Sequence, residues 1–260
     1  MNPMFYTQSL SGSDWQYLMP IIILSCSGLI SLLLATVKNS YADKLNFVVF
    51  ALSCSASMFC LLQNISHDDI KLDHSIQNGV FYFDTFSNTL SLILIPIAFY
   101  ISAFELTKMK EDFIGGEFFA LLSFALVGMI GLISSLDFTM IFICLELMSL
   151  ATYILIAIRR VSKESAESSL KYFILGGAMS AVLLMGLSFV FGATGSFNLN
   201  EISEIIATKN SGQHVVLMFG ILLIYIAMLF IVVAFAFHTG LSDVYAGASS
   251  AISACVITAI

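Results

Sequence analysis

Leu136-Asp-Phe-Thr-Met-Ile-Phe-Ile-Cys-Leu-Glu-Leu-Met-Ser-Leu-Ala-Thr-Tyr-Ile-Leu-Ile-Ala-Ile158 is the stretch that decides the fold. It is long and apolar enough to cross a bilayer as a helix, which takes about 20 apolar residues. One acid interrupts it. Glu146 lies nine residues past Asp137, so about 13 Å into the membrane at helical rise. An acid at the centre of a membrane helix costs about 2.5–3.5 kcal/mol on insertion scales. Such a residue points to a proton or ion site. The blander reading is a protonated acid that hydrogen-bonds within the bundle and only helps packing.

The whole chain agrees with a membrane fold. Of its 260 residues, 59% are hydrophobic and only 10% charged, against about 25% charged in a soluble domain. Mean hydropathy is +0.97. The net charge of −7 does not make an acidic binding face, because the acids are spread over the loops. No nucleic-acid partner is expected; the bilayer is. Cys26, Cys54, Cys60, Cys144 and Cys255 all fall in apolar spans, without CxxC spacing. A buried cysteine behaves as a small hydrophobe, so no disulfide, metal site or iron–sulfur cluster is expected. No Lys or Arg precedes the first apolar run, which does not fit a cleavable secretory signal.

Hydropathy predicts an all-α polytopic bundle, one membrane domain over 1–260, with spans near 17–37, 45–65, 86–106, 117–136, 138–158, 166–192 and 214–238. A run beginning near 248 reaches Ile260 too soon to span, so the sequence reads as cut within an eighth helix or as ending irregularly. The short junction at Asp137 predicts a tight antiparallel hairpin of the fourth and fifth spans. Seven of the Lys and Arg residues fall in the loops after the first, third and fifth spans: Lys38, Lys44, Lys108, Lys110, Arg159, Arg160 and Lys163. Only Lys71 and Lys209 fall in the alternate loops. The positive-inside rule makes the first set cytoplasmic and the N-terminus periplasmic. The loops 66–83 and 197–213 then face the periplasm, too short to be folded domains.

Lys171 is the second ionisable candidate, about 10–13 Å into a sixth helix that starts near Ser162. A lysine there can shift its pKa and exchange protons, making a two-site relay with Glu146. Equally, it can pair with Glu167 one turn earlier and snorkel to the surface. Asp84 and Glu117 flank helix starts and read as interfacial caps, and Asp137 as a turn and cap residue. Arg159, Arg160 and Lys163 read as a topology anchor. His238 ends the seventh span; a lone histidine there reads as interfacial or as a proton shuttle. Gly176, Gly177, Ser180, Gly186, Gly192 and Gly195 give the sixth helix a small-residue surface suited to close packing. No nucleotide, haem or nucleophile motif is present.

Four segments carry a family resemblance: Glu117-Phe-Phe-Ala-Leu-Leu122, Leu145-Glu-Leu-Met-Ser-Leu-Ala-Thr-Tyr-Ile-Leu-Ile-Ala-Ile-Arg-Arg160, Glu167-Ser-Ser-Leu-Lys-Tyr-Phe-Ile-Leu-Gly-Gly177 and Phe191-Gly-Ala-Thr-Gly-Ser-Phe-Asn-Leu199. They resemble subunit N of bacterial respiratory complex I, the antiporter-like subunit of NADH:quinone oxidoreductase similar to mitochondrial NADH dehydrogenase subunit 2. The match is specific over 117–199 and weaker but collinear before it. The resemblance implies a proton-pumping subunit of the bacterial inner membrane, partnered by other membrane-arm subunits. It implies no redox centre in this chain, with quinone and NADH used elsewhere in the complex. The family's buried glutamate falls on Glu146 and its first lysine on Lys171.

Residues 200–260 diverge. The family's next lysine falls on Ile231, and its prolines on Ala236, Ser242, Ser249 and Ala251, whereas His238, Asp243, Val244, Tyr245, Gly247 and Ala248 match. Isoleucine carries no proton. The alternatives are therefore a non-conducting structural or truncated subunit, or a subunit of a related cation/proton antiporter or membrane-bound hydrogenase.

Overall fold

The computed structural model describes residues 12–36, 40–66, 74–76, 79–112, 116–158, 163–208, 214–231 and 252–255. The helices are α1 (Gly12–Ala35), α2 (Ser40–Ser66), α3 (Thr85–Asp112), α4 (Glu117–Ile133), α5 (Phe138–Ile156), α6 (Lys163–Thr194), α7 (Leu199–Thr208) and α8 (His214–Ile231). A short antiparallel pair, β1 (His74–Ile76) and β2 (Phe81–Phe83), separates α2 from α3. Among the described residues, five helices are long and apolar enough to cross a membrane: α1, α2, α3, α5 and α6. The apolar helices α4 and α8 are shorter. The chain is thus an all-α membrane bundle, as its composition predicts.

Helix ends follow local chemistry. Asp137 caps α5, its Oδ1 accepting from the Thr139 amide at 2.8 Å. Asp84 and Ser87 cap α3 reciprocally: the Ser87 amide donates to Asp84 Oδ1 at 2.7 Å, and the Asp84 amide donates to Ser87 Oγ at 3.1 Å. Such a cap contributes about 1 kcal/mol. Gly195 closes α6 with φ +80°, a left-handed geometry that residues with a side chain rarely adopt.

α4 lies at the centre. Phe118, Phe119, Ala120 and Ala125 on it are wholly buried, and it packs against α1, α2, α3 and α5. Lipid is as apolar as leucine, so close van der Waals fit, rather than water exclusion, holds helices together in a membrane. The contacts show this. A Cβ on Gly128 would lie 2.8 Å from the Cys144 carbonyl, so α4 and α5 touch backbone to side-chain base. Gly186 and Gly220 bring α6 and α8 together in the same way, each with the other's carbonyl 2.9 Å from where its Cβ would be. Buried hydroxyls turn inward on their own helix. Ser27 donates to the Leu24 carbonyl at 2.8 Å, Ser91 to Ser87 at 2.8 Å and Ser123 to Phe119 at 2.8 Å. Each of these three hydroxyl protons is thereby bonded without water.

The loops at one end of the bundle are stitched together. The Tyr82 amide donates to the Ser134 carbonyl at 2.7 Å, and the Leu136 amide to Val80 at 3.1 Å. On the other side of the same short segment, the Phe138 amide donates to Phe197 at 3.0 Å and the Leu199 amide to Leu136 at 3.1 Å. The Asn198 side-chain amide completes the circle with a bond to the Gly79 carbonyl at 3.3 Å. Residues 79–83, 134–138 and 197–199 thus form one clasp.

Two stretches that hydropathy reads as loops carry short elements. The stretch 66–83 holds a hairpin, and 197–213 contains α7. Asn198 Oδ1 accepts from the Asn200 amide at 3.0 Å and starts that helix. α7 buries Ile202 while exposing Glu201 and Glu204. A search for unbroken apolar runs passes over such a short two-faced helix. The expected close packing along α6 is also uneven. Gly176 and Gly186 are tightly packed, whereas nothing lies within 4 Å of a Cβ on Gly177 or Gly192. Beyond α8, Ile252 and Cys255 are buried in the core.

A carboxyl cavity between α5, α6 and α8

Glu146 sits mid-way along α5, where an apolar helix faces α6. Its Oε1 accepts a hydrogen bond from the Ser180 hydroxyl of α6. The carboxyl lines a cavity of about 30 Å³ walled by Ser149, Thr152 and Tyr153 of α5, Tyr172, Gly176 and Ser180 of α6, and Phe230 and Ile231 of α8. That volume suffices for a water molecule, and the hydroxyls supply the polar partners it requires.

The antiparallel register of α5 and α6 sets this geometry. Ser165 donates to the Ile156 carbonyl and Ser169 to the Tyr153 carbonyl at 2.8 Å. Eleven residues on from Ser169, about three turns, Ser180 reaches Glu146. Tyr153 is wedged edge-on against Tyr172 (ring centroids 4.8 Å apart) and Phe173 (5.8 Å). Its hydroxyl occupies the space that a side chain at residue 176 would need: a Cβ on Gly176 would lie 1.8 Å from it. Ser149, one turn before Tyr153, lines the same cavity.

The sequence candidates divide. Glu146 lies mid-way along α5 and is partly buried. Ile231 faces the same cavity, so the position of the family's lysine is next to the carboxyl and is apolar. Lys171 does not line the cavity. Its ammonium pairs with Glu167 at 2.9 Å, with the two side chains 47% and 67% exposed. It sits nine residues from Ser180 on α6, about 13 Å along the axis. Of the two readings the residues allowed, the geometry is that of the surface pair. His238 lies outside the described residues. Asp84 and Asp137 are caps, as expected.

Sequence reading missed two things. Ser180 was noticed only as a small residue; its spacing across an antiparallel pair becomes visible once the register is known. Glu105 of α3 is wholly buried. It falls at the predicted edge of the third span and passes for an interfacial residue. The signal was present: an acid in an apolar run, with buried Ser102 one turn before it.

Fold and site together define an all-α polytopic membrane protein with a partly buried carboxyl inside one apolar helix. Residues 135–260 match the family model described as NADH:quinone oxidoreductase/Mrp antiporter, transmembrane. Its curated relatives are subunits N of NADH-quinone oxidoreductase. That of Polaromonas naphthalenivorans is 45% identical over 139 residues, 54% of this chain and 28% of the relative. That of Francisella tularensis subsp. holarctica is 31% identical over 246 residues, 93% of this chain and 50% of the relative. Among solved structures, a chain of respiratory complex I from Thermus thermophilus superposes with a TM-score of 0.71 at 22% identity, covering 92% of this chain and 52% of that one. The chain thus spans about half the length of relatives matched along most of it.

Proposed function

We propose that this chain acts as an antiporter-like membrane-arm subunit of a proton-translocating NADH:quinone oxidoreductase in a bacterial cell membrane, with Glu146 as its proton site. The observation that carries this reading is the Glu146 carboxyl, held mid-span by a hydroxyl from a neighbouring helix beside a water-sized cavity. Desolvating an acid is costly unless it gains a partner or gives up its charge. A site that offers a hydrogen bond and room for water lets the carboxyl exist in both states, which exchange requires.

In this reading the chain holds no redox centre. Quinone reduction and NADH oxidation occur in partner subunits, and charge movements there change the proton occupancy of Glu146. Lys171, paired with Glu167, stands at the mouth of the path rather than beside the carboxyl. The excess of Lys and Arg in alternate loops supports a periplasmic N-terminus. The clasp joins 79–83, 134–138 and 197–199 at one end, the end this assignment places outside.

The test is Glu146→Gln in the assembled complex. It is expected to lower the proton-to-electron stoichiometry with little loss of assembly. An unchanged stoichiometry removes the reading. One observation favours a non-conducting structural subunit instead: Ile231, which cannot carry a proton, faces the carboxyl. That alternative expects no transport phenotype from Glu146→Gln. A related cation/proton antiporter assembly, the other branch in the family's description, would show sodium-dependent transport without NADH oxidation.

A further inference from the structure

We propose that Ser180 is a positioning residue for the Glu146 proton, and that Ser149 and Tyr153 connect that proton, through a cavity water, to the Lys171 end of the bundle. This rests on the reading of Glu146 as a proton site and names the neutral partners with which it exchanges.

The Ser180 hydroxyl donates to Oε1. That bond fixes a side chain with three rotatable bonds and leaves Oε2 as the oxygen that binds and releases the proton. The cavity beside it holds one water-sized space of about 30 Å³. Thr152 lines the cavity too, but its hydroxyl proton is used: it donates to the Ser149 carbonyl at 2.8 Å. Ser149 and Tyr153, which line the same cavity, remain. A hydroxyl both donates and accepts, so a line of them passes a proton without holding charge. In one transfer, Glu146 Oε2 gives its proton to the cavity water, and that water gives one to Ser149. Ser149 then passes its own to Tyr153, and Tyr153 gives its own to solvent water on the Lys171–Glu167 side, which carries the proton away. Each hydroxyl ends as neutral as it began. The Tyr153 hydroxyl lies against Gly176, four residues from Ser180 on α6, so the line advances about 6 Å along the bundle, toward the Lys171–Glu167 pair.

Every wall of the cavity fits neutral exchange. From α5 the titratable group facing Glu146 is Tyr153, from α6 it is Tyr172, and α8 offers Phe230 and Ile231. The Lys171–Glu167 pair lies further along α6, outside the cavity wall. Gly176 has a role in the same arrangement, because any side chain there would displace the Tyr153 hydroxyl.

The experiment is a pH-difference infrared spectrum of the intact complex containing the full chain, together with its proton-transfer rate. The carboxyl C=O band is assigned by its loss in Glu146→Gln. Ser180→Ala is expected to move that band to higher frequency and slow transfer about tenfold, the factor a hydrogen bond to a charged group is worth. Ser180→Thr, which keeps the hydroxyl, is expected to restore the band position and to keep the rate within about twofold, well inside that tenfold factor. Tyr153→Phe keeps the ring packing and is expected to slow transfer while leaving the band in place. An unmoved band in Ser180→Ala overturns the positioning role, and an unchanged rate in Tyr153→Phe overturns the path. The absence of any band lost in Glu146→Gln overturns both. If Glu146→Gln itself leaves proton stoichiometry unchanged, the proton-site reading falls. If Glu146→Gln stops transport but the Ser180 and Tyr153 variants behave as wild type, this inference alone falls.

Discussion

α4 and α6 are both apolar helices, yet they occupy opposite environments. On α4, Phe118, Phe119, Leu122, Leu126 and Ile130 are buried, and it is enclosed by four helices. On α6, Leu170, Phe173, Ile174, Leu184 and Met185 are exposed. In water, the second pattern would mark a missing partner. In a bilayer it need not, because lipid solvates those side chains as well as protein does. What separates interior from exterior is the small and polar residues. Gly128, Gly131 and Ser123 on α4, and Gly176, Ser180 and Gly186 on α6, all lie where another helix comes close or bonds.

That contrast can be tested by adding atoms. The largest effect is expected for Gly128→Leu on α4. Its Cβ alone would lie 2.8 Å from a backbone carbonyl of α5, and backbone cannot swing aside. A cost of about 3 kcal/mol should appear as loss of the chain from membranes and a lower detergent melting temperature. Gly176→Ala on α6 meets only the tip of Tyr153, which can yield. It should cost about 1–2 kcal/mol and slow proton transfer by dislodging the hydroxyl. Lys171→Gln breaks an exposed pair and should change stability by less than about 1 kcal/mol, read as melting temperature at low and high salt. The smallest effect, of opposite sign, belongs to Gly177→Ala. Nothing lies within 4 Å of the new methyl, so the gain in helix propensity, up to about 1 kcal/mol, should raise the melting temperature slightly. If the two adjacent glycines behaved alike, the division of α6 into a contact face and a lipid face would be wrong.

Much of this was legible in the chain alone. The hydrophobic runs announce the helices, because the bilayer demands long apolar segments with internally satisfied backbones. Glu146 announces itself because an acid in such a segment is expensive. Asp84 and Asp137 precede their helices in the positions where caps act. Legibility fails where the third dimension decides. Hydropathy does not tell Gly176 from Gly177, since only the helix register shows which of them meets Tyr153. Lys171 looked as deep as a relay requires, but depth along a helix says nothing about which way a side chain turns, and Glu167 one turn away holds it. α7 and the hairpin were hidden because short, two-faced segments leave no long apolar run.

The clasp at 79–83, 134–138 and 197–199 has a mechanical consequence. It fastens the near ends of α4, α5 and α6 to one another through backbone bonds, so these helices cannot slide past each other by a turn without tearing it. Any working stroke must be a tilt about that fastening. Glu146 stands nine residues from Asp137, a lever arm of about 13 Å, so a tilt of about 5° carries its carboxyl about 1 Å. That is enough to make or break contact with the Ser180 hydroxyl, and the fastened end barely moves while it happens.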